Sequence, residues 1–151
     1  MFSFAVLAAS LPAQAAPPTA LSSMVGSWTC TGKVGGVSET STIVATAWGQ
    51  WIRDDISFPA VGKYPASAGT AYLGWDSTHK EWVYNEVDQV GEYFITTSSS
   101  PKWGKTAWAA RYPPEAGTSI INMLSKNAYT VDVSYSENGK PATFHQRCTR
   151  T

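Results

Sequence analysis

The stretch that decides the fold is Tyr129-Thr130-Val131-Asp132-Val133-Ser134-Tyr135-Ser136-Glu137-Asn138-Gly139-Lys140-Pro141-Ala142-Thr143-Phe144-His145-Gln146-Arg147-Cys148. Asn138-Gly139 tolerates the two positive φ angles of a type I′ turn, so the chain reverses there into a two-residue β-hairpin. With these two as the loop, Tyr135 faces Ala142, Val133 faces Phe144, Val131 faces Gln146 and Tyr129 faces Cys148. On the opposite side Ser134 meets Thr143, Asp132 meets His145 and Thr130 meets Arg147. Both strands agree that the first side is the inner, apolar one. A slip of one residue would turn every apolar side chain to water, so the pattern specifies the register.

Outward from this hairpin, apolar and aromatic residues recur with period two along most of the chain, broken by turn residues at roughly ten-residue spacing, which reads as all-β. Strands are expected near 26–33, 38–48, 50–58, 68–76, 81–88, 91–98, 104–112, 117–125, 127–136 and 141–150. The one helical candidate is short. Thr19 caps a turn whose Leu21, Met24 and Val25 share a face, and Gly26 ends it. That face needs a partner, and the open end of a barrel supplies one.

The chain has two cysteines, Cys30 on the first expected strand and Cys148 on the last. Cys148 lies on the inner face deduced above, and Cys30 shares its face with Trp28, so a Cys30–Cys148 disulfide is expected. Antiparallel pairing with the cysteines opposite each other places Trp28 opposite Arg150. Pairing of first strand with last closes a sheet into a barrel. The expectation is an antiparallel up-and-down barrel of about ten strands, closed or nearly closed, with a short N-terminal helical turn.

No charged residue precedes Lys33, and Met1 to Pro12 are mostly apolar, followed by Ala13-Gln14-Ala15. This has the form of a signal peptide over 1–15, cut after Ala15, because a cut after Ala16 would set Pro17 beside the scissile bond. Residues 16–25 then form a lead with the helical turn, and 26–151 the barrel. The apolar run is too short, and too interrupted by proline, to span a bilayer. An exported protein, periplasmic or extracellular, is predicted.

With 151 residues the chain suits one domain. Eleven Lys+Arg balance eleven Asp+Glu, and only 15% of residues are charged, so there is no basic footprint for nucleic acid. Aromatics make up 13% and hydrophobic residues 43%, which provides for a packed core and argues against disorder.

Leu21-Ser22-Ser23-Met24-Val25-Gly26-Ser27-Trp28 resembles the start of lipocalins and other calycins, a helical turn followed by Gly-x-Trp on the first strand. Tyr72-Leu73-Gly74-Trp75-Asp76-Ser77-Thr78-His79-Lys80-Glu81-Trp82 resembles a hairpin of a bacterial lipocalin-like family that has no settled activity. The resemblance covers about Leu21 to Arg150. It implies that Arg150 packs over Trp28, as an arginine on the last strand commonly does in these barrels. Ten strands rather than eight bring the chain nearer to fatty-acid-binding proteins and nitrobindin.

Residues that could carry chemistry are few. His145 is placed outward opposite Asp132, and His79 lies in the Asp76–Lys80 turn, where Asp76 can bond the following backbone. Neither histidine is left to serve a Ser-His-Asp triad, a metal or a haem iron, so no catalytic residue, metal or cofactor is assigned. Asp54 and Asp55 point to opposite faces of a strand, but which face is inner stays open between Ile52, Asp54, Ile56 and Phe58 and the alternative Trp51, Arg53 and Asp55. Trp82, Tyr84, Tyr93 and Ile95 share a face if the loop between their strands has an even residue count. The inner stripe Tyr129, Val131, Val133, Tyr135, Phe144 and Gln146 is apolar with isolated polar tips, which suits a small hydrophobic or amphipathic ligand bound without being transformed. The alternatives are a haem-binding barrel, a small isomerase or decarboxylase, and a structural module whose interior is filled.

Overall fold

The computed structural model describes residues 19–151 apart from 35, 63, 64, 101, 115, 116 and 138. The signal-peptide expectation for 1–15, the first residues of the lead and Asn138 of the deciding turn lie outside the described residues. The described chain runs α1 (Thr19–Ser22), β1 (Gly26–Val34), β2 (Val37–Trp48), β3 (Trp51–Phe58), β4 (Ser67–Asp76) and β5 (Glu81–Asp88). It continues with β6 (Tyr93–Ser98), β7 (Lys105–Tyr112), β8 (Thr118–Ser125), β9 (Ala128–Glu137) and β10 (Lys140–Arg150). Each strand pairs antiparallel with its neighbours in sequence, and β1 pairs with β10, so the sheet is a closed up-and-down barrel. The ten expected strands all form, with ends shifted by at most two residues.

The β9–β10 register sets Tyr135 against Ala142, Val133 against Phe144, Val131 against Gln146 and Tyr129 against Cys148, and Gly139 turns with φ 75°. Where β1 meets β10, Cys30 faces Cys148 and Trp28 faces Arg150. The two cysteines are bonded and fully buried. A buried disulfide is a feature of proteins that mature outside the reducing cytosol. No helix among the described residues is long and apolar enough to cross a membrane.

Arg150 seals the end of the barrel on which α1 sits. Its guanidinium lies 4.4 Å from the centre of the Trp28 ring and donates to the carbonyl oxygens of Val25, at 2.7 Å, and Ser23. The Trp28 indole N–H donates to the Met24 carbonyl at 2.7 Å. One arginine and one tryptophan thereby bond the last turns of the N-terminal lead to both closing strands. Gly26 leaves room for this: a Cβ there would sit 2.2 Å from Arg150 Nη1, and its φ of 138° suits glycine.

The core fills only the sealed half of the barrel. Leu21, Met24, Trp28, Ile52, Leu73, Trp82, Trp108 and Tyr129 pack into one buried cluster around the disulfide. On β3 the inner face is Ile52, Asp54 and Ile56, all buried, which resolves the parity the sequence left open. Arg53 and Asp55 point outward and form an ion pair at 2.8 Å. Trp51 also points away from the interior, its indole lying over Gly74, where a Cβ would come within 2.2 Å of the ring. The β5–β6 pairing sets Val87 against Tyr93 with five residues between them, an odd number. Tyr93 and Ile95 are therefore on the outer face, while Trp82 and Tyr84 point inward with Phe94 and Thr96. Tyr93 stacks instead on Tyr112 at 4.7 Å.

Candidate functional site

Above the core cluster the barrel encloses a cavity of about 410 Å³. Met24, Leu73, Trp108 and Tyr129 are shared between the cluster and the cavity and make its floor. Tyr129, Val131, Val133, Tyr135, Phe144 and Gln146, the stripe expected from β9 and β10, all line it. The interior is thus half filled and half open, a case between the two expected from sequence. Trp28 and Arg150 lie at the sealed end outside the cavity, as barrel-closing residues, and the disulfide lies beside the floor, with Cys30 Sγ 3.9 Å from the Tyr129 hydroxyl.

Most of the wall is hydrocarbon, contributed by Ile43, Ile56, Phe58, Leu73, Phe94 and Ile121 besides the stripe. The polar groups are few. Gln146 donates to the Ser41 hydroxyl at 2.8 Å, so its amide is held in place by its neighbour across the barrel seam. Tyr84 donates to Glu86 Oε2 at 2.6 Å. Asp54 is 8% exposed, lines the cavity, and takes part in none of the side-chain hydrogen bonds or ion pairs found among the described residues. Its neighbours on the two adjacent strands are Ala45 and Ala71, which offer no donor.

Neither of the two carboxylates, Asp54 and Glu86, was assigned to the cavity from sequence: Asp54 stood on a strand whose inner face was left open, and Glu86 beside a hairpin of undecided parity. They occupy one row across the sheet, Asp54 opposite Ala71 and Ala71 opposite Glu86. Two strand spacings put their Cα atoms about 10 Å apart, and the small Ala71 between them leaves the space above it open. Burial raises the Asp54 pKa to about 7, with Glu86 and Asp55 adding repulsion. Burial likewise raises that of Glu86, against the opposing effect of the Tyr84 hydrogen bond. The phenols of Tyr84 and Tyr129 are pushed up by burial and then by the carboxylates. The cavity is therefore an apolar chamber with an acidic pole and no cationic side chain among its described lining residues.

Both histidines are on the outside. His145 bonds Asp132 at 2.5 Å, and His79 bonds Asp76 at 2.6 Å in a turn where Asp76 also accepts the backbone N–H groups of Thr78 and His79. The Asp76 contact raises the pKa of His79, and His79 lowers that of Asp76. Among the described residues no group of three or more His, Cys, Asp or Glu side chains is placed to hold a metal ion. Compared with known proteins, the chain matches no protein-family model and no curated sequence.

Proposed function

We propose that the protein is an exported, calycin-type barrel that takes up a small hydrophobic or amphipathic molecule in its interior without transforming it. The observation that carries this reading is the cavity itself: about 410 Å³, within the range of small-molecule sites, apolar in most of its wall and furnished with a few fixed polar groups. A chain selected only for stability would fill such a space, because each void in a core forfeits packing. The disulfide and the apolar N-terminal segment support export.

The test is uptake of an uncharged probe. Titration with 1-decanol, followed by Trp fluorescence and by the melting temperature, is expected to give saturable binding and stabilisation that grows with occupancy. Val133→Trp places an indole in the chamber and is expected to abolish uptake while the barrel still folds, at about 1 to 3 kcal/mol of overpacking. Absence of any saturable response in the unsubstituted protein leaves the structural-module reading in its place.

A second reading has one specific observation in its favour. A buried carboxylate whose pKa lies near 7 is suited to moving protons, as in isomerases and decarboxylases. It predicts that a molecule recovered from the barrel differs before and after prolonged incubation, and that Asp54→Asn ends the change without ending the binding.

A further inference from the structure

We propose that the molecule the cavity is built for is a protonated amine on an apolar body, with the Asp54 carboxylate as its counter-ion and Glu86 as a second acceptor. This rests on the ligand-binding reading above and adds the chemistry of the ligand. Asp54 is more than nine-tenths buried, lines the cavity, and has no donor or cation among the described residues, its cross-strand neighbours being alanines. A buried carboxylate without a partner is strongly unfavourable, so a site that retains one leaves its solvation to something that enters.

The entering group must donate, and a positive charge suits it best. Two carboxylates face one space and no Lys, Arg or His is among the described lining residues, so the field in the chamber favours a cation and opposes a fatty-acid carboxylate. Glu86 already accepts from Tyr84 at 2.6 Å, whereas Asp54 has all its acceptor capacity free, which makes Asp54 the primary contact. An ammonium carries several N–H donors, so it can satisfy Asp54 and still turn a donor toward Glu86, on the far side of Ala71. The hydrocarbon walls, with Phe94, Trp108 and Phe144 among them, then receive the apolar body. The raised pKa of Asp54, caused first by burial and then by the neighbouring charges of Glu86 and Asp55, agrees with this geometry.

Three probes of one chain length separate this inference from the reading beneath it: decylamine, 1-decanol and decanoic acid, titrated calorimetrically into the folded protein at pH 8. Decylamine is expected to bind at least about tenfold more tightly than decanol, and decanoate at least about tenfold more weakly. In Asp54→Asn the preference for amine over alcohol is expected to fall to within about threefold. Circular dichroism establishes that the variant is folded, and Glu86→Gln, which leaves Asp54 in place, is expected to retain most of the preference. If all three probes bind alike, or decanoate binds best, the amine inference is overturned and the cavity reading stands. If decanol and the others all fail to bind, both fall.

Discussion

Replacing Asp54 by Asn removes an ionisation that the fold opposes, and the size of that opposition sets a pH-dependent stability difference. The ordinary carboxyl pKa of 3.8 rises to about 7 in the folded chain. Between these values the folded state holds a proton that the unfolded state has released, so stability falls as pH rises from about 4 to about 7, and the loss is complete above that. The whole shift corresponds to about 4 kcal/mol, more than half of which falls between pH 5 and pH 8. The Asn variant lacks this dependence. Urea unfolding at pH 5, 6, 7 and 8, followed by Trp fluorescence with the disulfide intact, is therefore expected to show the variant gaining about 2 to 3 kcal/mol on the parent across that range. Any fixed cost of seating an amide beside Ala45 and Ala71 is the same at every pH and drops out.

The other groups facing Asp54 do not mimic this signal. Glu86 is raised chiefly by burial, against the Tyr84 hydrogen bond, in both proteins, and its mutual repulsion with Asp54 is part of the same pH-dependent difference that the Asn variant removes. Tyr84 and Tyr129 are raised from the ordinary phenol value of 10.0 and stay protonated throughout. Asp55 lies outside, paired with Arg53. A difference that stays constant within about 0.5 kcal/mol from pH 5 to pH 8 would mean that the Asp54 carboxylate is well solvated in the folded protein. The cavity would then hold no unpartnered charge for a ligand to meet.

Arg150→Ala loses the contact over Trp28 and the bonds to the Val25 and Ser23 carbonyls, and is expected to lower stability by about 3 kcal/mol in chemical unfolding; a change under about 0.5 kcal/mol would mean the sealed end is held by packing alone. Cys30→Ser with Cys148→Ser opens a crosslink spanning 118 residues, for which the chain-entropy model gives about 4 to 5 kcal/mol; labelling of two free thiols in the denatured, unreduced parent would remove the bridge itself. Gly74→Val, a change toward a better strand former, is expected to destabilise by about 1 to 3 kcal/mol because its Cβ meets the Trp51 indole, and Trp51→Ala is expected to relieve most of that in a double-mutant cycle.

The barrel was readable from sequence where two independent constraints met on one residue. Cys148 is an example: the Asn138-Gly139 turn sets its face, pairing with Cys30 sets its partner, and both agree with Trp28 lying opposite Arg150. Strand β3 had no such second constraint. Its two faces, Ile52-Asp54-Ile56 and Trp51-Arg53-Asp55, each carry charge and apolar bulk, so period two alone does not say which is inner. Tyr93 and Ile95 stayed open for a related reason. Their face depends on the parity of a loop, and a five-residue connection reverses what a four-residue one would give.

Asp54 and Glu86 were hidden by the rule that makes sequence reading work, since a charged residue at an alternating position ordinarily marks the solvent side. A usable signal was nevertheless present in the Asp76-Ser77-Thr78-His79-Lys80 turn. Closing that hairpin with Asp76 opposite Glu81 sets Trp75 against Trp82, Leu73 against Tyr84 and Ala71 against Glu86, so the face that buries two indoles also carries the glutamate inward. The next strand pairing then sets Ala71 against Asp54. The alanine between the carboxylates is the informative residue: a large side chain there would bury both charges against hydrocarbon, whereas alanine leaves a gap. Local patterning and burial disagree at Asp54 and Glu86, and such conflicts concentrate where a fold has been shaped for something other than its own stability. The sealed half of this barrel obeys the packing rules around Trp28, Arg150 and the disulfide. The open half breaks them at two neighbouring carboxylates, and that asymmetry is why the chamber is the place to look for function.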